Sequence, residues 1–106
     1  MSDMKAVLVQ TRKTLSDPQS WTRGCLARSE RGKPVDCDSA LARSFCLLGA
    51  IEGADSQKRL PLYYSCDILM LLGFKSTEAM VRWNDKRGRT HAEVLARLDK
   101  AIEAAS

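Results

Sequence analysis

A chain of 106 residues, 44% hydrophobic and 28% charged with a formal charge of +4, reads as one globular domain over residues 1–106 and excludes a disordered polymer, which lacks this much apolar material. Its longest apolar runs, 45–51 and 68–74, are far short of the about 20 residues that cross a bilayer, so no membrane contact is expected. No apolar leader core or small-residue cleavage site opens the chain, which makes the cytoplasm the expected compartment and free thiols the expected state of its four cysteines.

The spacing of Met4, Val7, Leu8, Thr11 and Leu15 predicts an amphipathic helix from Asp3 to Leu15. Pro18 stops it, because proline has no amide hydrogen and disfavours helix in the residue before it. From Trp21 to Cys37 the helical period is lost, and Gly24, Gly32 and Pro34 appear. A short hairpin or irregular insertion is expected there, near residues 22–36. With its turn centred on Arg31, Cys25 and Cys37 would lie opposite each other, and Pro34 would mark an edge strand.

A central helix is expected from Asp38 to Gly53, capped by Asp36 or Asp38, with Leu41, Phe45, Leu48 and Ile51 as its stripe. Gly49 and Gly53 would let a second helix approach closely. The next predicted helix spans Pro61 to Leu72, with proline in its first turn, Gly73 past its end, and Leu62, Cys66, Leu69 and Met70 facing inward. A short helix follows from Thr77 to Trp83, started by Ser76. Thr90 and Glu93 then form a capping box for a last helix, Thr90 to Ala105, with apolar positions Val94, Leu95, Leu98, Ala101, Ile102 and Ala105. The expected fold is all-α or mainly α: a compact bundle of about five helices with the small insertion.

Little in this pattern points to chemistry. His91 is the single histidine. A Cys46–His91 pair, oriented by Asn84 or Asp85, is formally available. The expected mid-helix position of Cys46 argues against it, since burial raises a thiol's pKa and hides it. The cysteines do not occur in the close pairs that zinc sites use, and no glycine-rich phosphate loop occurs, so neither metal nor cofactor is expected. Asn84 and Asp85 fit an Asx-type turn between two helices. That helix–loop–helix outline resembles a helix-turn-helix only superficially, because the last helix presents Arg97, Asp99, Lys100 and Glu103, of mixed sign.

The charge is clustered. Arg23, Arg28, Arg31 and Lys33 face one anion in their stretch, and Arg82, Lys86, Arg87 and Arg89 face one in theirs. Such patches suit an anionic partner.

The strings Trp21-Thr22-Arg23-Gly24, Leu26-Ala27-Arg28, Phe45 to Ile51, and Trp83-Asn84-Asp85 with Gly88-Arg89-Thr90 and Glu93-Val94-Leu95 resemble an uncharacterised family of small bacterial and phage proteins. The resemblance runs from about Trp21 to Ala101. It implies a compact, mainly helical domain from a mobile element or accessory gene, with no activity to carry over. From kind and size, the expected function is a non-enzymatic protein-binding module, an inhibitor of a host defence complex of the anti-CRISPR kind. Its partner would be a host protein or nucleoprotein complex. Its contact residues would be Arg23, Arg28, Arg31, Arg87 and Arg89, with Tyr63 or Tyr64 as an aromatic anchor. The alternatives are a small nucleic-acid-binding protein using the basic patches and a Cys46/His91-dependent enzyme. Whether the 83–90 loop is structural or a contact site is left open by the sequence, as are the oligomeric state and the pairing of Cys25 with Cys37.

Overall fold

A computed structural model describes residues 3–54 and 62–105. Its first helix, α1 (Asp3–Thr14), buries Val7, Leu8 and Thr11. The Thr11 hydroxyl is satisfied within the helix, donating to the Val7 carbonyl at 2.8 Å. Asp17 caps a single turn of tighter helix at Pro18–Ser20. Three strands follow: β1 (Ala27–Ser29), β2 (Pro34–Val35) and β3 (Ala42–Phe45). They form one antiparallel sheet in the order β2-β1-β3. The remaining helices are α2 (Leu47–Ala54), α3 (Leu62–Leu72), α4 (Thr77–Asp85) and α5 (His91–Ala104).

The expected helical bundle and all-α class are therefore wrong. The protein is a mixed fold, helices packed beside a three-stranded sheet. The hairpin about Arg31 forms, with Ala27 opposite Val35 and Arg28 opposite Pro34. It is two strands of a larger sheet rather than an insertion into a bundle.

The error lies in the helix expected from Asp38 to Gly53. Residues 36–42 instead make two tight turns, in which Ser39 N–H donates to the Asp36 carbonyl and Ala42 N–H to the Ser39 carbonyl. Leu41 is 64% exposed, so the stripe that seemed to start there has no first member. Ala42–Phe45 pairs with Ala27–Ser29, which gives β1 a second neighbour.

Helix α2 begins only at Leu47, and Cys46 caps it: the thiol sulfur accepts from Gly49 N–H at 3.3 Å. Gly49 is obligatory, because a β-carbon there would lie 2.1 Å from the Leu26 carbonyl oxygen. What approaches this glycine is thus the backbone leading into β1, not a second helix. At Gly53 a β-carbon would meet only the Cys37 carbonyl oxygen, at 3.9 Å.

The core joins Leu8, Leu15, Leu47, Ala50, Ile68, Leu72, Met80, Val94 and Leu98, drawn from α1, the α1 exit, α2, α3, α4 and α5. In α3 the inward face is Ile68, Leu69 and Leu72, whereas Met70 is 75% exposed. The side chains expected to accompany it, Leu62 and Cys66, lie outside the described residues, as does Pro61. Gly73 ends α3 in the left-handed conformation that suits glycine, with φ of 87°, and Phe74 N–H reaches back to the Leu69 carbonyl at 2.8 Å. Ser76 caps α4, and the Thr90–Glu93 capping box of α5 is present in both directions. Among the described residues, no helix is long and apolar enough to cross a membrane.

Candidate functional site

The junction between the Trp21–Gly24 segment and the end of α4 is built around one buried amide. Asn84 is 1% exposed. Its Oδ1 accepts from Trp21 Nε1 at 2.8 Å and from the backbone N–H of Leu47 at 3.0 Å. Its Nδ2 donates to the Thr22 carbonyl at 3.2 Å and to Asp85 Oδ1 at 2.9 Å. Asp85 Oδ1 also accepts from Gly24 N–H at 2.9 Å. These two residues close α4 and tie three segments together. They do not form the Asx turn that their sequence suggested.

This tie brings the two basic stretches into contact. Arg23 Nη1 donates to the Lys86 carbonyl at 3.1 Å. Arg28 Nη2 donates to the Arg23 carbonyl at 3.0 Å, and its Nη1 to the Gly32 carbonyl at 2.9 Å. Arg28 thereby links the junction to the turn that carries Arg31. Arg23, Arg31, Lys33, Lys86 and Arg87 are exposed around this network, and Arg28 is half-buried within it. Asp85, the anion of the second stretch, spends its Oδ1 on Gly24 N–H and on Asn84.

The Arg89 side chain takes no part in the bonds between the two stretches. Its Nε donates to the Trp83 carbonyl at 2.8 Å, its guanidinium lies 4.0 Å from the Trp83 ring centre, and its Nη1 pairs with Glu93 at 3.0 Å. Of the predicted contact residues, Arg23 and Arg28 hydrogen-bond within the junction, Arg31 and Arg87 are exposed on the turns that adjoin it, and the Arg89 side chain is engaged by Trp83 and Glu93. The side chains of Tyr63 and Tyr64 lie outside the described residues. Arg97 and Lys100 were not among the predicted contacts, yet they line a groove with Arg89. Their mixed-sign helix face hid them, and only the packing of Trp83 against α5 groups them.

The thiol and the imidazole are both committed locally. Cys46 is 4% exposed. Burial pushes its thiol up from the ordinary range, outweighing backbone hydrogen bonds at Gly49 and Leu48 that act the other way. It stands at a helix N-cap and not in mid-helix, but the sulfur faces the fold. The Nε2 of His91 lies in hydrogen-bond contact with the Leu15 carbonyl, so that nitrogen carries the proton, and the ring tilts against Trp21. Cys25 and Cys37 each make a hydrogen bond through sulfur. The first donates to the Ala27 carbonyl at 3.2 Å and the second to Glu52 Oε2 at 3.5 Å. No group of three His, Cys, Asp or Glu side chains among the described residues is arranged to hold a metal.

Comparison with known proteins gives a family. A family of unknown function, DUF6197, matches residues 1–104. No curated protein and no solved structure matches the chain.

Proposed function

We propose that this chain, which belongs to the family of unknown function DUF6197, is a non-enzymatic module that binds an acidic surface of a partner protein or nucleoprotein complex. One observation carries the reading. Two cationic stretches about sixty residues apart in the chain are joined by the Arg23–Lys86 and Gly24–Asp85 hydrogen bonds. Arginine fits this role, because its planar fork pairs with carboxylates in two places at once. A rigid scaffold beneath it, fixed by Asn84, lowers the ordering cost of association.

The first class of partner to test is a host defence complex, which follows from the resemblance to small bacterial and phage proteins and not from any single residue. The experiment is capture from host lysate by the immobilised chain, with bound material identified by mass spectrometry. The comparison is a variant carrying Arg23→Glu, Arg31→Glu and Arg87→Glu, checked to melt within a few degrees of the parent. Loss of the same captured complex from the variant supports the proposal. Equal capture by a folded variant refutes it. Capture abolished by nuclease and falling steeply with salt assigns the face to nucleic acid instead.

A further inference from the structure

A second cationic site is built on the Trp83 ring, where α4 turns into α5. Trp83 forms its floor. The guanidinium carbon of Arg89 sits 4.0 Å from the indole centre and that of Arg97 sits 4.8 Å from it. Arg97 also stacks on Phe74 at 4.9 Å and donates through Nη1 to the Leu72 carbonyl at 2.9 Å. Gly73 makes room for this seat, since a β-carbon there would lie 2.9 Å from Arg97 Nη1. Both arginines are thus fixed by stacking and by one backbone carbonyl each.

They are not saturated. A guanidinium has five N–H donors. Arg89 spends two in the bonds to the Trp83 carbonyl and Glu93, and Arg97 spends one on the Leu72 carbonyl. No buried side-chain nitrogen or oxygen among the described residues lacks a partner, so Arg89 Nη2 and Arg97 Nε and Nη2, which the bonds above do not use, are accessible, and both residues line one groove. Lys100 adds a third cation there. Among the described lining residues the one anion, Glu93, is engaged by Arg89 and by the Thr90 cap. Positive charge is therefore concentrated beside an aromatic floor, and Leu71, Ala96 and Ala104 supply an apolar wall. The groove is open to solvent and has a volume of about 640 Å³.

We propose that this groove binds a small amphipathic oxyanion, a carboxylate or phosphate ester held by Arg89, Arg97 and Lys100 with its apolar body against Leu71, Ala96 and Ala104. Pre-placed guanidinium donors grip such oxygens with charge-assisted, paired hydrogen bonds. The apolar wall selects for a ligand that is more than a bare ion.

The test is a titration of the full chain, labelled with nitrogen-15, with phenyl phosphate, benzoate, inorganic phosphate and neutral benzamide. The expected result is saturable shifts of the Trp83 indole N–H and the Arg97 Nε–H at or below about 10 mM phenyl phosphate or benzoate. Inorganic phosphate and benzamide should each bind at least about tenfold more weakly, since each lacks one half of the recognition. Whichever of phenyl phosphate and benzoate binds tighter identifies the oxyanion. Arg97 also holds the fold, so the deciding variants are the exposed Lys100→Glu and Ala96→Glu. Both should keep the parent spectrum and weaken phenyl phosphate about tenfold or more. Equal binding of benzamide, equal binding of inorganic phosphate, shifts confined to the Arg23–Lys86 face, or no saturation would each overturn the proposal.

Discussion

Replacing Asn84 with alanine tests the idea that one buried amide holds the sheet, α2 and α4 together. The substitution removes the acceptor for Trp21 Nε1 and for the Leu47 amide. Leu47 is fully buried, and its N–H is among the first of α2, where no preceding turn supplies a carbonyl. Each buried donor left without an acceptor costs about 1–3 kcal/mol. The void left at a site that is 1% exposed adds to this, for a total of about 3–5 kcal/mol. In a domain of this length each kcal/mol lowers the melting temperature by about 4–8 °C. Asn84→Ala should therefore melt about 15–30 °C below the parent by circular dichroism, with a matching fall in urea midpoint. A loss smaller than about 5 °C, near one kcal/mol, would refute the reasoning and make the network decorative.

Asn84→Asp gives a sharper form of the test. It keeps an acceptor oxygen but turns the 2.9 Å contact with Asp85 Oδ1 from donor–acceptor into a meeting of two carboxylates. Burial and Asp85 would both raise the new group's folded-state pKa above its unfolded value, about 3.9. Stability is then greatest below that unfolded value and falls as pH rises through the folded one. The variant should gain on the parent as the solution is acidified, and no such gain would place the second oxygen in water.

Five further outcomes are expected. Arg87→Glu should leave the melting temperature nearly unchanged, because Arg87 is exposed. Arg89→Glu should cost about 2 kcal/mol by losing a cation–π contact and a backbone hydrogen bond in a side chain only 12% exposed, so the two variants separate in a thermal melt. Gly49→Ala should fail to fold or lose several kcal/mol, since its β-carbon would lie 2.1 Å from the Leu26 oxygen; a soluble variant with the parent's denaturation profile would show that the segments part easily. In a native alkylation time course Cys25 should react before Cys46, which its 4% exposure and raised pKa protect until unfolding. The Thr90 amide, chiefly, holds the Glu93 carboxyl below the ordinary range, helped by the Thr90 hydroxyl and Arg89. That contribution is full above the unfolded value of about 4.3 and is lost as pH falls through the depressed folded one, so Glu93→Gln should narrow its deficit to the parent under acid.

The parts of the fold legible in the sequence are those whose partners lie within a turn. Thr90 and Glu93 are three residues apart, and the box they form needs nothing else. Gly73 and Ser76 close and open helices by the same local logic. Strand β3 was not legible because its cause is distant. Leu41, Phe45, Leu48 and Ile51 repeat at helical spacing, but pairing with Ala27–Ser29 decides the conformation of Ala42–Phe45. Asn84 was misread for the same reason. Its side chain could satisfy a local turn, and nothing in its neighbourhood reveals partners 37 and 63 residues away.

The arginines sort by the same distinction, and the sorting bears on function. By composition Arg23, Arg28, Arg31, Arg87 and Arg89 are equivalent, and a sequence can only count them. In the fold, Arg28 spends three donors, on Thr22, Gly32 and Arg23, while Arg89 is pinned between Trp83 and Glu93. Such side chains have already lost their rotamer freedom, so a ligand meeting them bears less of that cost. Arg31 and Arg87, exposed at turns, would have to be ordered by a partner and would chiefly speed its approach. Substitutions at Arg31 and Arg87 should thus act mainly on association rates and salt dependence. Substitutions at Arg28 should act on stability and dissociation together, and kinetic measurement of any captured complex can tell these apart.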